Sequence, residues 1–528
     1  MKPHDMGVLF DECAERGIGT GVHLDRPFDI APDGGTAYDA AALAELVRQA
    51  AGWLAAAGAG RGDRVAIVKD NHWDYDLLAC AAVRVGAVPA QLSGQLAPEV
   101  LEVLLARLDP AVLFTTADLV ERARAAGVDL KSVARVVVTS DAAVPGAVAL
   151  DDLRGHAAPA PHRRHEDEPL VIDHTSGTTG VPKLVVHSTR TIIGELARFE
   201  ARRMPKIGAR PDDVVATASS YAHGRTFCWT AVVMSVAPRE VVVLTSQDPD
   251  RADPVLRAHP PTILEGLPAS YVRFRPLIER LDNPFRRVRL YISTYDAVHP
   301  PTIRAYLAAS RHPSPLWMDG WGQTETGPLT FRFHTRRSIA REGAATHDVG
   351  RPIPVKTGLR LVDPDTFEPV RPGRPGLVLA RTSARCLDYL GESRRWERKR
   401  VGDWWNTGDI GVRGWDGSVR LLDREVDHAP GMSCVETEDV LEDRLPRAWE
   451  CVLLTRPGEL PLPVVVTADG ELPDEDWHRA RRGLPPMAEP VVLTWDEVPR
   501  TGTGKVRRLE LRGQLTGRVD TCGTGRWT

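Results

Sequence analysis

From residue 38 to residue 139, Ala/Leu-rich stretches alternate with short apolar runs, and this alternation constrains the fold more than any other feature. Residues 38–57 and 73–86 have helix-forming composition. Between and after them stand Arg64-Val65-Ala66-Ile67-Val68, Val88-Pro89-Ala90-Gln91-Leu92, Val112-Leu113-Phe114-Thr115 and Val136-Val137-Val138-Thr139. Each has the length and composition of a buried strand. Strands separated by helices pair through crossovers, which predicts a parallel, doubly wound sheet. Residues 189–204 have helical periodicity, and 240–245, 262–267 and 289–293 read as strands of a second sheet. Beyond 350, Pro/Gly punctuation and short strands predict a β-rich subdomain ending near 423. Residues 424–528 carry Val452-Leu453-Leu454, Val464-Val465-Val466 and Val491-Val492-Leu493 with helical stretches between them. The expected fold class is therefore α/β. A large N-terminal domain (1–423) holds two doubly wound sheets and the β-rich subdomain, and a small α/β domain (424–528) follows.

Composition excludes several function classes. The 528 residues are 42% hydrophobic and 26% charged, as in soluble globular proteins, and the net charge of −4 gives no electrostatic case for nucleic acid or an anionic membrane. No apolar run approaches the ~20 residues of a membrane-spanning helix. Met1-Lys2-Pro3-His4-Asp5 lacks the apolar core of a signal peptide. Seven scattered cysteines without a Cys-x-x-Cys pair fit reduced thiols, so a cytoplasmic location is expected. No His/Cys/carboxylate group has zinc-ligand spacing; His165-Glu166-Asp167-Glu168 reads as a solvated linker.

Between two apolar runs, Pro169-Leu170-Val171-Ile172-Asp173 and Leu184-Val185-Val186-His187, lies His174-Thr175-Ser176-Gly177-Thr178-Thr179-Gly180-Val181-Pro182-Lys183. Strand, tight loop, strand is the simplest reading. Gly177 and Gly180 let backbone N–H groups converge; the hydroxyls of Thr175, Ser176, Thr178 and Thr179 add donors, and Lys183 adds a point charge. Clustered donors with one cation suit a polyphosphate, with an ordinary solvent loop as the alternative. The stretch is neither a Walker A loop nor a nucleophile elbow, since it lacks the glycine positions of both.

Three later blocks also carry chemistry. In Met318-Asp319-Gly320-Trp321-Gly322-Gln323-Thr324-Glu325-Thr326, glycines flank an aromatic ring that could face a flat ligand. A carboxylate four residues on could hold a hard cation; a turn with a half-buried Trp is the alternative. Asn406-Thr407-Gly408-Asp409 offers a carboxylate able to accept from two hydroxyls, or is an Asp-containing turn. Pro499-Arg500-Thr501-Gly502-Thr503-Gly504-Lys505 is a glycine-rich loop carrying one ammonium, or a solvated basic loop.

Taken together and in this order, the four blocks resemble those of the adenylate-forming superfamily, which includes acyl-CoA synthetases, peptide-synthetase adenylation domains and luciferases. The resemblance covers most of 35–512. It implies that the 175–183 loop holds the outer phosphates of ATP, that Trp321 stacks on adenine, and that Asp319 lies near its amino group. It further implies that Thr324 meets the α-phosphate, Glu325 binds Mg²⁺, and Asp409 and Arg424 bind the ribose. Lys505 would bridge the carboxylate substrate and the α-phosphate, on a small domain that rotates. His223 falls beside the expected acyl pocket.

The sequence departs from that pattern at three places. Leu184 stands where glycine is usual. Thr294-Tyr295-Asp296 replaces small residues that leave room for substrate, so Tyr295 and Asp296, with Arg225 and Gly322 nearby, are expected to make a short, polar pocket. Val426 occupies the usual charged pivot, and the loop His428-Ala429-Pro430-Gly431-Met432 is shortened. The resemblance thus implies ATP-dependent activation of an aromatic or short polar carboxylic acid to an acyl-adenylate, with pyrophosphate released. Transfer to CoA is the default by family. An amine, a carrier protein or nitrite, as in diazotising relatives, is the alternative acceptor, and a non-catalytic nucleotide-binding protein is a second alternative. A monomer or homodimer is expected.

Overall fold

The predicted alternation resolves into two large sheets and one small one. The structure, a computed structural model, describes residues 5–175, 181–202, 204–340, 347–424, 433–455 and 458–517, with the backbone alone for Asp423 and Arg424. Residues 176–180, Val426 and the 428–432 loop lie outside the described residues.

The first sheet has eight strands. Pro169–His174, Val88–Ser93, Arg64–Lys69, Val112–Thr115, Val136–Thr139 and Val148–Ala149 run parallel, and Leu184–Ser188 and then Asp388–Tyr389 add antiparallel strands at one end. Its helices match the expectation closely, at Ala40–Ala56 and Asp74–Arg84. Asp39 caps the first by accepting from the Ala42 N–H at 2.8 Å. The second is buried at every position. It is pinned to the neighbouring helix Gly224–Val236 by a polar thread: the Trp73 indole donates to Thr230 Oγ1 (2.8 Å), which donates to Asp76 (2.6 Å).

The second sheet begins with parallel strands Gly21–Leu24, Glu240–Val243, Val214–Ala218, Ile263–Gly266, Leu290–Ser293 and Leu316–Gln323. The chain then reverses into Gly327–His334 and continues antiparallel through Asp348–Pro352, Val419–Arg424, Trp404–Arg413, Pro375–Thr382 and Thr357–Val362. The β-rich segment is therefore hydrogen-bonded onto the second sheet, because the hairpin after Gln323 passes the ladder directly to it. Buried apolar residues from both sheets and the helices between them, among them Leu43, Trp53, Tyr75, Ile193, Phe227 and Val241, form the main core. The expected helix over 189–204 is a wide-turn helix, Arg190–Ala197, running into Arg198–Glu200.

From Cys434 onward a three-stranded sheet of Glu450–Leu454, Leu462–Thr467 and Val491–Thr494 packs helices on two apolar clusters. Among the described residues six cysteines are free and buried, and no helix is long and apolar enough to cross a membrane.

Candidate active site

One cavity of about 610 Å³ opens where the C-terminal ends of strands from both large sheets meet. Chain ends of parallel strands are where doubly wound sheets gather ligands. Thr175, Lys183, His223, Arg225, Tyr295, Gly320, Gly322, Thr324, Glu325 and Lys505 all line it.

One wall is built from the loop base and the turn after Gln323. The Lys183 N–H donates to Thr175 Oγ1 at 3.1 Å, and the Thr175 N–H donates to the Lys183 carbonyl at 3.1 Å, closing the loop whose middle, Ser176, Gly177, Thr178, Thr179 and Gly180, lies outside the described residues. Lys183 Nζ stands 3.6 Å from Glu325 Oε1 and over the Tyr389 ring at 5.1 Å. The Tyr389 hydroxyl donates to Glu325 Oε1 at 2.5 Å. Burial opposes ionisation of Glu325, but Lys183, Lys399 and the Tyr389 hydroxyl outweigh it and hold the pKa below the ordinary value. Glu325 is thus an ionised oxygen donor with cations on two sides. Thr324 is fixed through its backbone: its carbonyl accepts from His187 Nε2 at 2.7 Å. Burial pushes the His187 pKa down, leaving that ring neutral with its proton on Nε2.

Gly320 and Gly322 line the cavity because alternate residues of strand Leu316–Gln323 face it. A Cβ at Gly322 would stand 2.1 Å from the Gly327 carbonyl oxygen, so only glycine fits that hairpin. Trp321 points the other way. It packs, half-buried, against the cluster of Leu329, Leu359, Leu361, Val378, Ala380 and Val419. Asp319 accepts from the Trp317 indole N–H at 2.7 Å and lies 3.2 Å from His334 Nε2. Neither is among the residues lining the cavity. Asp409 is buried beside the rim residues Thr407 and Gly408 and accepts from Gln323 Nε2 at 3.1 Å. The backbone of Arg424 pairs in register with Asp409.

The opposite wall is polar in an unforeseen way. Arg225 is not available as a lone cation: its guanidinium is paired with Glu200 (2.7 Å) and Glu265 (2.7 Å). Three charged groups thus leave one surplus negative charge at the cavity wall. His223 accepts the Arg225 N–H on Nδ1 at 3.2 Å, which caps helix Gly224–Val236, and its ring meets Tyr295 edge to face at 4.6 Å. Burial, then the neighbouring His174, Lys505, Arg225 and His187, push its pKa down to about 3, so it is neutral at physiological pH. Tyr295 takes the left-handed backbone region, φ +82°, which an L side chain rarely adopts. Asp296, by contrast, is exposed and belongs to a smaller neighbouring cavity of about 30 Å³.

Lys505 reaches the cavity because its loop docks on the body. A Cβ at Gly502 would meet Ser93 Oγ at 2.5 Å and one at Gly504 would meet Ala269 Cβ at 2.6 Å, and the Arg507 guanidinium donates to the Gln95 carbonyl at 3.3 Å. Sequence reading missed Lys399, Tyr389, Glu200 and Glu265, all placed near the named residues by the fold. The basic run Arg398-Lys399-Arg400 was the only local signal for the first; the others lie in stretches without a motif.

A sequence model of the AMP-binding enzyme family matches residues 21–390. A 3-amino-2-hydroxy-4-methoxybenzoate diazotase from Streptomyces cremeus is 36% identical over 97% of this chain and 96% of its own. A 3-aminoavenalumate diazotase from a Streptomyces species is 26% identical over 92% and 91%. Among solved structures, an anthranilate CoA ligase in complex with anthranoyl-AMP superimposes with a TM-score of 0.80 at 19% identity, covering 98% of this chain and 99% of the other. That likeness confirms the mixed α/β fold.

Proposed function

The chain belongs to the AMP-binding enzyme family, and from that premise we propose that it converts an amino-substituted aromatic acid to a diazonium, using ATP to activate nitrite. In the first half-reaction a nitrite oxygen attacks the α-phosphorus of ATP, pyrophosphate leaves, and a nitrosyl-AMP anhydride remains. In the second, the aromatic amine attacks the nitroso nitrogen and AMP leaves. The nitrogen acceptor replaces the CoA thiol that the sequence resemblance makes the default. The alignment with two proteins named diazotases supports it, and so does the cavity wall.

The observation that carries this reading is the charge distribution of the 610 Å³ cavity. Lys183, Lys399 and Lys505 stand on the phosphate side, while Arg225 on the other wall is twice neutralised by Glu200 and Glu265. A surplus carboxylate at that wall favours the amino end of the substrate, which presents N–H donors, over its carboxylate end. Apolar Phe199, Trp229, Met318 and Phe331 in the same cavity suit an aromatic ring.

In this reading Lys505 and Thr324 stabilise charge on the α-phosphoryl oxygens, and the 175–183 loop with Lys183 holds the outer phosphates. Glu325, ionised and buried, fits a hard cation, and Mg²⁺ there would neutralise phosphate charge. Asp409 and Arg424 take the ribose, and rotation of the C-terminal unit withdraws Lys505 between the half-reactions.

The test supplies ATP with nitrite or with CoA, each against a panel of amino-substituted benzoates and cinnamates. The reading requires pyrophosphate release that depends on nitrite, and a diazonium trapped as an azo dye. Acid-dependent pyrophosphate release with thioester formation, indifferent to nitrite, overturns it in favour of CoA ligation.

A further inference from the structure

We propose that Asp173 is the proton acceptor and donor of the second half-reaction, an inference that rests on the amine-acceptor reading above. Asp173 ends the strand Pro169–His174, immediately before the phosphate-loop segment, and its carboxylate is fully buried yet lines the cavity. Among the described residues five carboxylates line that cavity: Asp173, Glu200, Glu265, Glu325 and Glu392. Glu200 and Glu265 hold Arg225, Glu325 faces Lys183 and Tyr389, and Glu392 pairs with Arg107 and Arg395. Among the described residues neither oxygen of Asp173 has a hydrogen-bond partner. A buried, unpaired carboxylate is costly, and no group among the described residues offsets it.

Its nearest acidic neighbour makes the contrast. Asp76, equally buried, accepts from Gln91 Nε2 (2.7 Å) and Thr230 Oγ1 (2.6 Å) and is a satisfied structural group. Space for Asp173 is kept by glycine: a Cβ at Gly224 would stand 2.3 Å from Asp173 Oδ2. Burial, then the charge of Asp76, push the Asp173 pKa up to about 8, in the range where a group both takes and returns a proton near neutrality. His223 beside it is too weak a base; Arg225, Cys228, His174, Lys183, His187, Tyr221, Tyr295 and Lys505 are further charged or titratable groups on the elements around it.

The chemistry needs such a group twice. As the amine nitrogen bonds to the nitroso nitrogen, the N–O bond to AMP breaks with its electron pair going to the phosphate oxygen, and the carboxylate takes one N–H proton. The N-nitrosamine shifts its remaining N–H proton to oxygen, giving a diazohydroxide. Protonated Asp173 then returns its proton to that hydroxyl, which leaves as water, giving the diazonium and regenerating the carboxylate. Proton transfer of this kind contributes roughly 10²–10⁴-fold.

The test measures both half-reactions on the full chain, with nitrite as the activated acid and a 3-aminobenzoate as acceptor. Nitrite-dependent ATP–pyrophosphate exchange reads the first; amine-dependent diazonium formation from preformed adenylate reads the second. D173N is expected to slow the second about 100-fold and the first by no more than about threefold, and to flatten the rise of the second with pH toward about 8. Equal loss in both half-reactions, or an unchanged second half-reaction, overturns the assignment. Should D173N not fold, G224A, which presses a methyl group against Oδ2, is expected to give the same split, and an intact second half-reaction there overturns it. Absence of nitrite-dependent exchange in the wild-type protein overturns the functional reading itself and the assignment with it.

Discussion

Lys505 and Asp173 are opposite cases of a charged group in one cavity. Lys505 comes from a loop that the sequence marks plainly with its glycines, and the fold carries it into the cavity. Lys505→Ala is expected to lower ATP–pyrophosphate exchange by roughly 10²–10³-fold, the usual cost of one preorganised charge-stabilising donor. Unchanged exchange in that variant would remove Lys505 from the reaction. Asp173 carried no sequence signal, since an Asp at a strand end is ordinary; the packing of Gly224 and the lack of donors among the described residues make it unusual. It also has a thermodynamic signature. Its folded pKa is raised to about 8 from 3.8, so between those pH values the folded state holds a proton that the unfolded chain has released. Stability from this group therefore falls as pH rises from about 4 to about 8 and is level above. Asp173→Asn is expected to melt above the wild type at pH 8, with a smaller difference at pH 5. A uniform drop in melting temperature across that range would contradict the unpaired carboxylate.

At the scale of elements, the hairpin Leu316–Gln323/Gly327–His334 decides the most. Thr324 and Glu325 stood out in the sequence as motif residues, but the direction of Trp321 did not. A pleated strand sends residues 320 and 322 to one face and 321 to the other, and the apolar cluster on that far face takes the ring. Gly322→Ala would drive a methyl group to 2.1 Å from the Gly327 carbonyl oxygen. Expected are a loss of about 1–3 kcal/mol in denaturant unfolding and a larger proportional fall in adenylate formation, because Thr324 and Glu325 ride on the same turn. Equal stability and activity would mean the hairpin opens freely. Strand positions were legible because runs such as Val112–Thr115 are apolar on both faces. The wide-turn helix Arg190–Ala197 was not, since its periodicity is nearly that of an ordinary helix.

For the whole molecule the question is what holds the C-terminal unit against the body. His299, at the start of helix Pro300–Ala309, meets Asp439 at 2.7 Å and Glu442 at 3.4 Å on helix Cys434–Arg444, and Arg304 pairs with Asp443. Burial opposes the imidazolium, but Glu442 and Asp439 raise its pKa to about 10. A raised folded pKa means that the contribution is complete below the ordinary 6.5 and is lost as pH rises through about 10. Burial holds the Glu442 pKa up at about 8, so removing the imidazolium leaves Glu442 and Asp439 buried without the cation that faces them both. His299→Ala is therefore expected to slow ATP–pyrophosphate exchange at least about tenfold and to raise the radius measured by small-angle scattering. An unchanged radius together with unchanged exchange would show that the contact does not hold Lys505 in place.

The amino-acid order alone determined the layered α/β architecture and the family, because strand length, helix periodicity and loop chemistry are local properties of short segments. It also named Lys183, Thr324, Glu325 and Lys505, which sit inside recognisable loops. Only the tertiary structure decided that Arg225 is neutralised by Glu200 and Glu265, that Lys399 joins Lys183 beside Glu325, that Asp296 faces away, and that Asp173 is unpaired among the described residues. Those facts depend on groups tens to hundreds of residues apart in the chain, and the charge of a cavity is set by which of them the fold brings within a few ångströms, a quantity that no local pattern carries.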